Sequence, residues 1–207
     1  MLPIIFRSPA PWYFIIERVA TQSIPRVLEE EYLQLERASE RKHEFRGGEI
    51  FVMAGGSLNH SLLAANWIFE LRSNLRGRDC RVFTSDLRVR TLLSGSFLYP
   101  DISVVCGEPH LYERSDDILT NPEVIIEILS PATANYDRGR KFELYREIPA
   151  LAEYILVHVD SPHVEQYTCQ PDESWLLRDV HGLENSIEIT SIGCVIRLID
   201  VYAGFSS

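Results

Sequence analysis

Apolar residues recur at mostly three- and four-residue intervals through PRVLEEEYLQLERASERKH (25–43). Val27, Leu28, Tyr32, Leu33 and Leu35 there predict one face of a helix. Pro25 suits its first turn, and Glu29, Glu30 and Glu31 suit its positive end. Arg46-Gly47-Gly48-Glu49 reads as a turn before a strand at 50–54. Ser57 or Asn59 then caps a helix over 60–75 that presents Leu63, Trp67 and Leu71, with Gly77 placed as its C-terminal cap. From Arg81 the period shortens to two. RVFTSDLRVRTLL and YPDISVVC read as strands, VIIEIL (124–129) as a buried strand, and AEYILVHVD as another. Residues 137–148, presenting Phe142 and Tyr145, predict a helix between the last two. The tail alternates through two or three more strands, including SIEITSIG and VIRLIDV. Helices interspersed with strands predict an α/β or α+β sheet covered by helices.

Glu127 breaks the apolar run of its strand. A carboxylate removed from water costs several kcal/mol unless a cation or hydrogen-bond donors receive it. Asp101 lies 26 positions earlier, at the mouth of another apolar strand. A strand, a loop and a returning strand fit that gap, which brings the two acids side by side. Like charges so close need something positive between them. Mg²⁺, with Mn²⁺ as a substitute, prefers hard oxygen ligands of this kind, and a metal so held activates water and steadies charge in phosphodiester cleavage. Lys141, one helical turn past Asp137, is the candidate for orienting the attacking water.

The motifs Pro100-Asp101, Glu127-Ile128-Leu129-Ser130-Pro131-Ala132-Thr133, Asp137, Lys141, Tyr145 and Glu153-Tyr154 together resemble the Uma-two family of endonucleases, within the PD-(D/E)XK nuclease superfamily. EYLQLE, KHEFRGGEIFVMAGGSLNHS and SDLRVR upstream extend the resemblance over roughly residues 28–170. It implies an α/β, restriction-endonuclease-like mixed β-sheet flanked by helices, with an additional β-rich C-terminal part. It also implies Asp101 and Glu127 as metal ligands and Lys141 as the catalytic lysine. The superfamily's plain pattern puts the lysine two residues after the acid, where this chain has Leu129, so Lys141 acts from the neighbouring helix. Glu44 is similar to an acid that some superfamily members supply from the first helix, and His60 opens the second helix towards the site. Asp137 reads equally as a first-turn residue, and Tyr145 as a support packed on the sheet.

Composition narrows the classes. At 207 residues with 45% hydrophobic and 24% charged positions, the chain is of globular type. Its net charge of −10 argues against coating nucleic acid by bulk electrostatics. Residues 1–22, apolar but broken by Arg7, Pro9, Pro11 and Glu17, read as an N-terminal extension, and residues 23–207 as one domain without a membrane span. Cys80, Cys106, Cys169 and Cys194 are dispersed and form no C-x-x-C pair, which favours free thiols in a reduced, cytoplasmic setting. Six arginines between positions 72 and 90 face only Glu70, Asp79 and Asp86, a phosphate-contacting edge or a solvated helix end. The remaining histidines lack metal spacing and read as surface or core residues.

The expected activity is Mg²⁺-dependent DNA hydrolysis. Cutting both strands ordinarily takes two sites, so a homodimer is a reasonable expectation that no residue specifies. The alternative from another class is a catalytically inactive nuclease-fold binding module. A weaker one keeps the paired carboxylates as a glycosidase.

Overall fold

The computed structural model describes residues 26–113 and 115–205. The expected extension at 1–22 and the role of Pro25 fall outside them. Helix α1 (Glu29–Ala38) ends earlier than its periodicity suggested, and strand β1 (His43–Arg46) takes up the end of the predicted helix. After Leu35 no apolar side chain continues the helical face. Glu36 instead accepts the His43 N–H at 3.1 Å, and the Tyr32 hydroxyl donates to the His43 carbonyl at 2.8 Å, which fixes the reversal. Phe45 then stacks on Tyr32 at 5.0 Å. Gly47 (φ 57°) and Gly48 (φ 87°) supply the left-handed pair of a tight hairpin turn into β2 (Glu49–Val52).

The order continues with α2 (Leu58–Asn74), β3 (Cys80–Thr84), β4 (Arg88–Arg90), β5 (Phe97–Leu98), β6 (Ile102–Cys106), β7 (Ile118–Leu119) and β8 (Val124–Leu129). Next come α3 (Ala134–Tyr136), a π-helical turn (Asp137–Lys141), α4 (Phe142–Tyr145), β9 (Glu153–His158), β10 (His163–Cys169), β11 (Trp175–His181), β12 (Ser186–Ile189), β13 (Cys194–Arg197) and α5 (Leu198–Val201). VIRLIDV is therefore half strand and half helix. The helix expected over 137–148 starts at Ala134, passes through the wider turn and ends at Tyr145.

A six-stranded mixed sheet ordered β11-β10-β9-β8-β6-β3 carries the domain. Only β8 and β9 run parallel, which the intervening helical segment allows. Strand β8 is buried at every position because both sheet faces are covered. Val124, Ile126 and Ile128 pack with Leu63, Trp67 and Leu71 of α2 and with the β12–β13 hairpin. Ile125 and Leu129 pack on the opposite face with Phe142, Leu144 and Tyr145. A second sheet, β2-β1-β5-β4-β7, closes over that face. The expected mixed sheet flanked by helices is present, and the β-rich tail extends it through β10 and β11. No helix among the described residues is long and apolar enough to cross a membrane.

One sequence reading is corrected. Cys80 and Cys106 are joined as a disulfide, not free thiols. Antiparallel pairing of β3 with β6 sets them directly opposite one another, a proximity their separation of 26 residues conceals. Of the arginines between positions 72 and 90, Arg72 and Arg76 are exposed at the end of α2, while others are tied into the fold. Arg88 is buried against Asp117, Arg90 pairs with Glu29 at 3.2 Å, and Arg78 donates to the carbonyls of Ile192 and Gly193.

Candidate active site

The register of the central sheet places the two acids. Ile102 of β6 faces Ile126 of β8, so Asp101 and Glu127 come opposite one another, on the face covered by α3 and α4. Asp101 Oδ2 accepts the Ile128 N–H at 2.8 Å and lies 3.1 Å from His60 Nε2. Ser57 caps α2 by accepting the His60 N–H at 3.2 Å, which fixes the histidine at the helix start. Gly56 makes room for the ring. A Cβ there would lie 2.7 Å from His60 Nδ1, so an alanine would push the imidazole off its place.

The helical segment brings Asp137, Lys141 and Tyr145 onto the same face at four-residue spacing. Its π-helical turn spans both Asp137 and Lys141, a local irregularity often found at functional sites. Lys141 is only 5% exposed, and its Nζ lies 2.7 Å from Glu127 Oε1, 3.5 Å from Glu44 Oε1 and 3.9 Å from Asp137 Oδ1. The Tyr145 hydroxyl donates to Glu127 Oε1 at 2.9 Å. The seven residues singled out from the sequence, Glu44, His60, Asp101, Glu127, Asp137, Lys141 and Tyr145, thus meet in one cluster. Glu44 arrives from β1, not from the first helix as the resemblance implied, because the chain had already reversed into the second sheet.

Two participants escaped the sequence reading. The Tyr136 hydroxyl donates to Glu44 Oε2 at 3.3 Å while Arg46 stacks on its ring, and the Tyr99 carbonyl accepts from Lys141 at 3.4 Å. The local sequence around neither residue signals this, since each contact depends on how the two sheets close.

Three carboxyl groups, those of Glu44, Glu127 and Asp137, lie within 4.0 Å of the Lys141 ammonium. Burial pushes the Glu127 carboxyl well above its ordinary value, Asp101 and Asp137 add to the rise, and Lys141 opposes it. Burial likewise raises Asp137, again against Lys141. Burial alone would lower Lys141, but Glu127, Glu44 and Asp137 together outweigh it and raise the ammonium. The hydrogen bond to Asp101 raises His60.

These directions make a pH prediction. Glu127 and Asp137 keep their protons in the folded chain to higher pH than in the unfolded chain, so stability falls as pH rises from the ordinary carboxyl range through the raised values. The His60 contribution is full below its ordinary value of 6.5 and is lost as pH climbs through its raised value. Thermal melts of the chelator-treated chain should therefore lose stability as pH rises out of the ordinary carboxyl range and past 6.5. Glu127→Gln should make that decline shallower. Tyr145→Phe deprives Glu127 of its hydroxyl donor and should cost about 1–3 kcal/mol in urea unfolding at neutral pH.

Comparison with known proteins agrees with this architecture. Residues 29–196 match the Uma2 family, described as "Putative restriction endonuclease". The chain is 35% identical over 182 residues to "Uncharacterized protein slr1290" of Synechocystis, covering 88% of this chain and 94% of that one. It is 39% identical over 160 residues to "Uncharacterized protein sll1609" of the same organism, covering 77% and 90%. Among solved structures it superposes with TM-score 0.70 on "a putative nuclease belonging to DUF820 from Anabaena variabilis", at 20% identity, covering 84% of this chain and 96% of that chain. At that identity the likeness establishes the fold.

Proposed function

The chain belongs to the Uma2 family, and from that membership we propose that it is a divalent-metal-dependent endonuclease hydrolysing phosphodiester bonds in DNA. The observation that carries this reading is the charge imbalance of the cluster: four acids, Glu44, Asp101, Glu127 and Asp137, against two cations, Lys141 and the Arg46 that lies 3.9 Å from Glu44, with His60 at the rim. A set of carboxylate oxygens with surplus negative charge fits a hard dication better than any soft or imidazole-seeking metal. Asp101 and Glu127 would hold Mg²⁺, or Mn²⁺ in its place, from adjacent strands. Such an ion supplies a positive charge for phosphate oxygens and lowers the pKa of a bound water.

The chain's own groups do the remaining work. Lys141 keeps its proton and presents a donor beside Glu127, suited to positioning an attacking water and to steadying a charged phosphorane-like state. Tyr145 and the Ile128 N–H fix the orientation of the two acids. His60, hydrogen-bonded to Asp101 at the edge of the cluster, is placed to hand a proton towards a departing oxygen. Glu44 and Asp137 hold the lysine between them and keep its amine aimed at Glu127. A homodimer is the arrangement that would let such a site cut both strands, and a cytoplasmic location suits a DNA substrate. Supercoiled plasmid incubated with the purified chain should be nicked or linearised with Mg²⁺ or Mn²⁺ and remain intact with EDTA. An intact plasmid under every divalent ion would leave a nuclease-fold binding module as the better account.

A further inference from the structure

Strands β9, β10 and β11 place a second set of metal-ligand side chains on the sheet. His163 of β10 faces His181 of β11, and continuing the β9–β10 register by one step sets His158 opposite His163. The three imidazoles stack in a row, with ring centroids 3.7 Å and 3.9 Å apart. Two residues along the strands, Glu165 faces Asp179 on the same face. The Tyr202 hydroxyl donates to the carbonyls of His158 and His163, pinning the backbone that begins the row. The sequence reading of these histidines as unremarkable surface or core residues missed this, because the pattern runs across strands and not along one.

Two overlapping groups of three have their ligand atoms within 4.8 Å of one another: His158, His163 and Glu165, and His163, Asp179 and His181. The inner group already has its cation. Arg138 donates to both oxygens of Glu165 and lies 3.0 Å from His158 Nε2, while His158 Nε2 lies 2.9 Å from Glu165 Oε1. The outer group has no arginine or lysine within ion-pairing distance among the described residues. His163 Nε2 contacts Asp179 Oδ1, and His181 Nε2 lies 3.4 Å from that same oxygen. Asp179 and His181 are open to solvent, whereas His163 is held between its neighbours.

We propose that His163, Asp179 and His181 form a second metal site, selective for an imidazole-binding transition ion of the Zn²⁺ class, at the β10–β11 edge of the central sheet. Two imidazoles and one carboxylate are a borderline donor set that favours Zn²⁺ over Mg²⁺, the opposite preference from the carboxylate cluster. Tetrahedral bonds of about 2.0–2.1 Å require ligand atoms about 3.3 Å apart, a geometry reached when the exposed His181 ring turns out of its stack on His163 so that both nitrogens point at one ion. Solvent fills the fourth position on the exposed side. The site lies about 10–14 Å from Glu127, two to three strand spacings across the same face, so one ion cannot serve both.

The test uses the tag-free full chain, stripped with chelator and titrated calorimetrically with Zn²⁺ in excess Mg²⁺. One Zn²⁺ should bind per chain, with affinity lowered about tenfold or more by His181→Ala and by His163→Ala. Asp101→Asn/Glu127→Gln should retain it, which separates this site from the carboxylate cluster. Co²⁺ in place of Zn²⁺ should give visible absorption bands that His181→Ala removes. No Zn²⁺ uptake, or uptake unchanged in both histidine variants, would overturn the proposal. Uptake abolished by the Asp101/Glu127 double variant but kept in His181→Ala would also overturn it.

Discussion

Lys141→Met is expected to destabilise the metal-free chain by about 3–5 kcal/mol at neutral pH and to abolish DNA cleavage. The methionine retains most of the stem's volume, so the effect is electrostatic. Glu127, 3% exposed, would lose the cation 2.7 Å away, and Glu44 and Asp137 would lose their shared partner. Breaking a buried pair from one side leaves a charge that neither water nor protein receives. The deficit should shrink as pH falls and the orphaned carboxyls protonate, and it should shrink again when Mg²⁺ is added at neutral pH. Urea unfolding across pH, with and without Mg²⁺, reads both trends. A pH-independent deficit would mean that Lys141 matters through packing alone.

The second large effect separates catalysis from stability. Asp101→Asn and Glu127→Gln should each lower plasmid cleavage about 10³-fold or more, the loss of several kcal/mol of transition-state stabilisation. The metal-free fold should survive, because each amide keeps the shape of the carboxyl it replaces. Glu127→Gln should lose less stability than the parent as pH rises from the ordinary carboxyl range, since it removes the buried acid whose ionisation burial opposes. Metal saturation should raise the stability of the parent, by about 2.7 kcal/mol at a hundredfold excess over Kd, and should do little for either variant. Cleavage that persists in both variants would remove the two acids from the mechanism.

What the sequence made legible follows the range of the interactions involved. The strand at 124–129 was readable because a six-residue apolar run needs only its own composition to be recognised, and Glu127 stood out within it. The α2 face of Leu63, Trp67 and Leu71 was readable for the same reason, through its helical period. Asp101 and Lys141 were legible as candidates, but their convergence on Glu127 needed the β6–β8 register and the fold-back of the helical segment. Glu44 was placed on the wrong kind of element because no glycine or proline separates α1 from β1, and only the contacts of Glu36 and Tyr32 with His43 mark the reversal. The Cys80–Cys106 bond and the row of His158, His163 and His181 were illegible because each is a relation between strands. A single strand carries one member of such a row, and a lone histidine in a strand carries no signal of its neighbours across the sheet.

Anomalous diffraction from crystals soaked in Mn²⁺ tests the central claim most directly. One strong peak should lie between the carboxylates of Asp101 and Glu127, within coordinating distance of both, with the Lys141 amine close to a water on that ion. A peak absent from that position while the ion orders elsewhere on the chain, or a peak held by only one of the two acids with Lys141 turned away, would contradict the account.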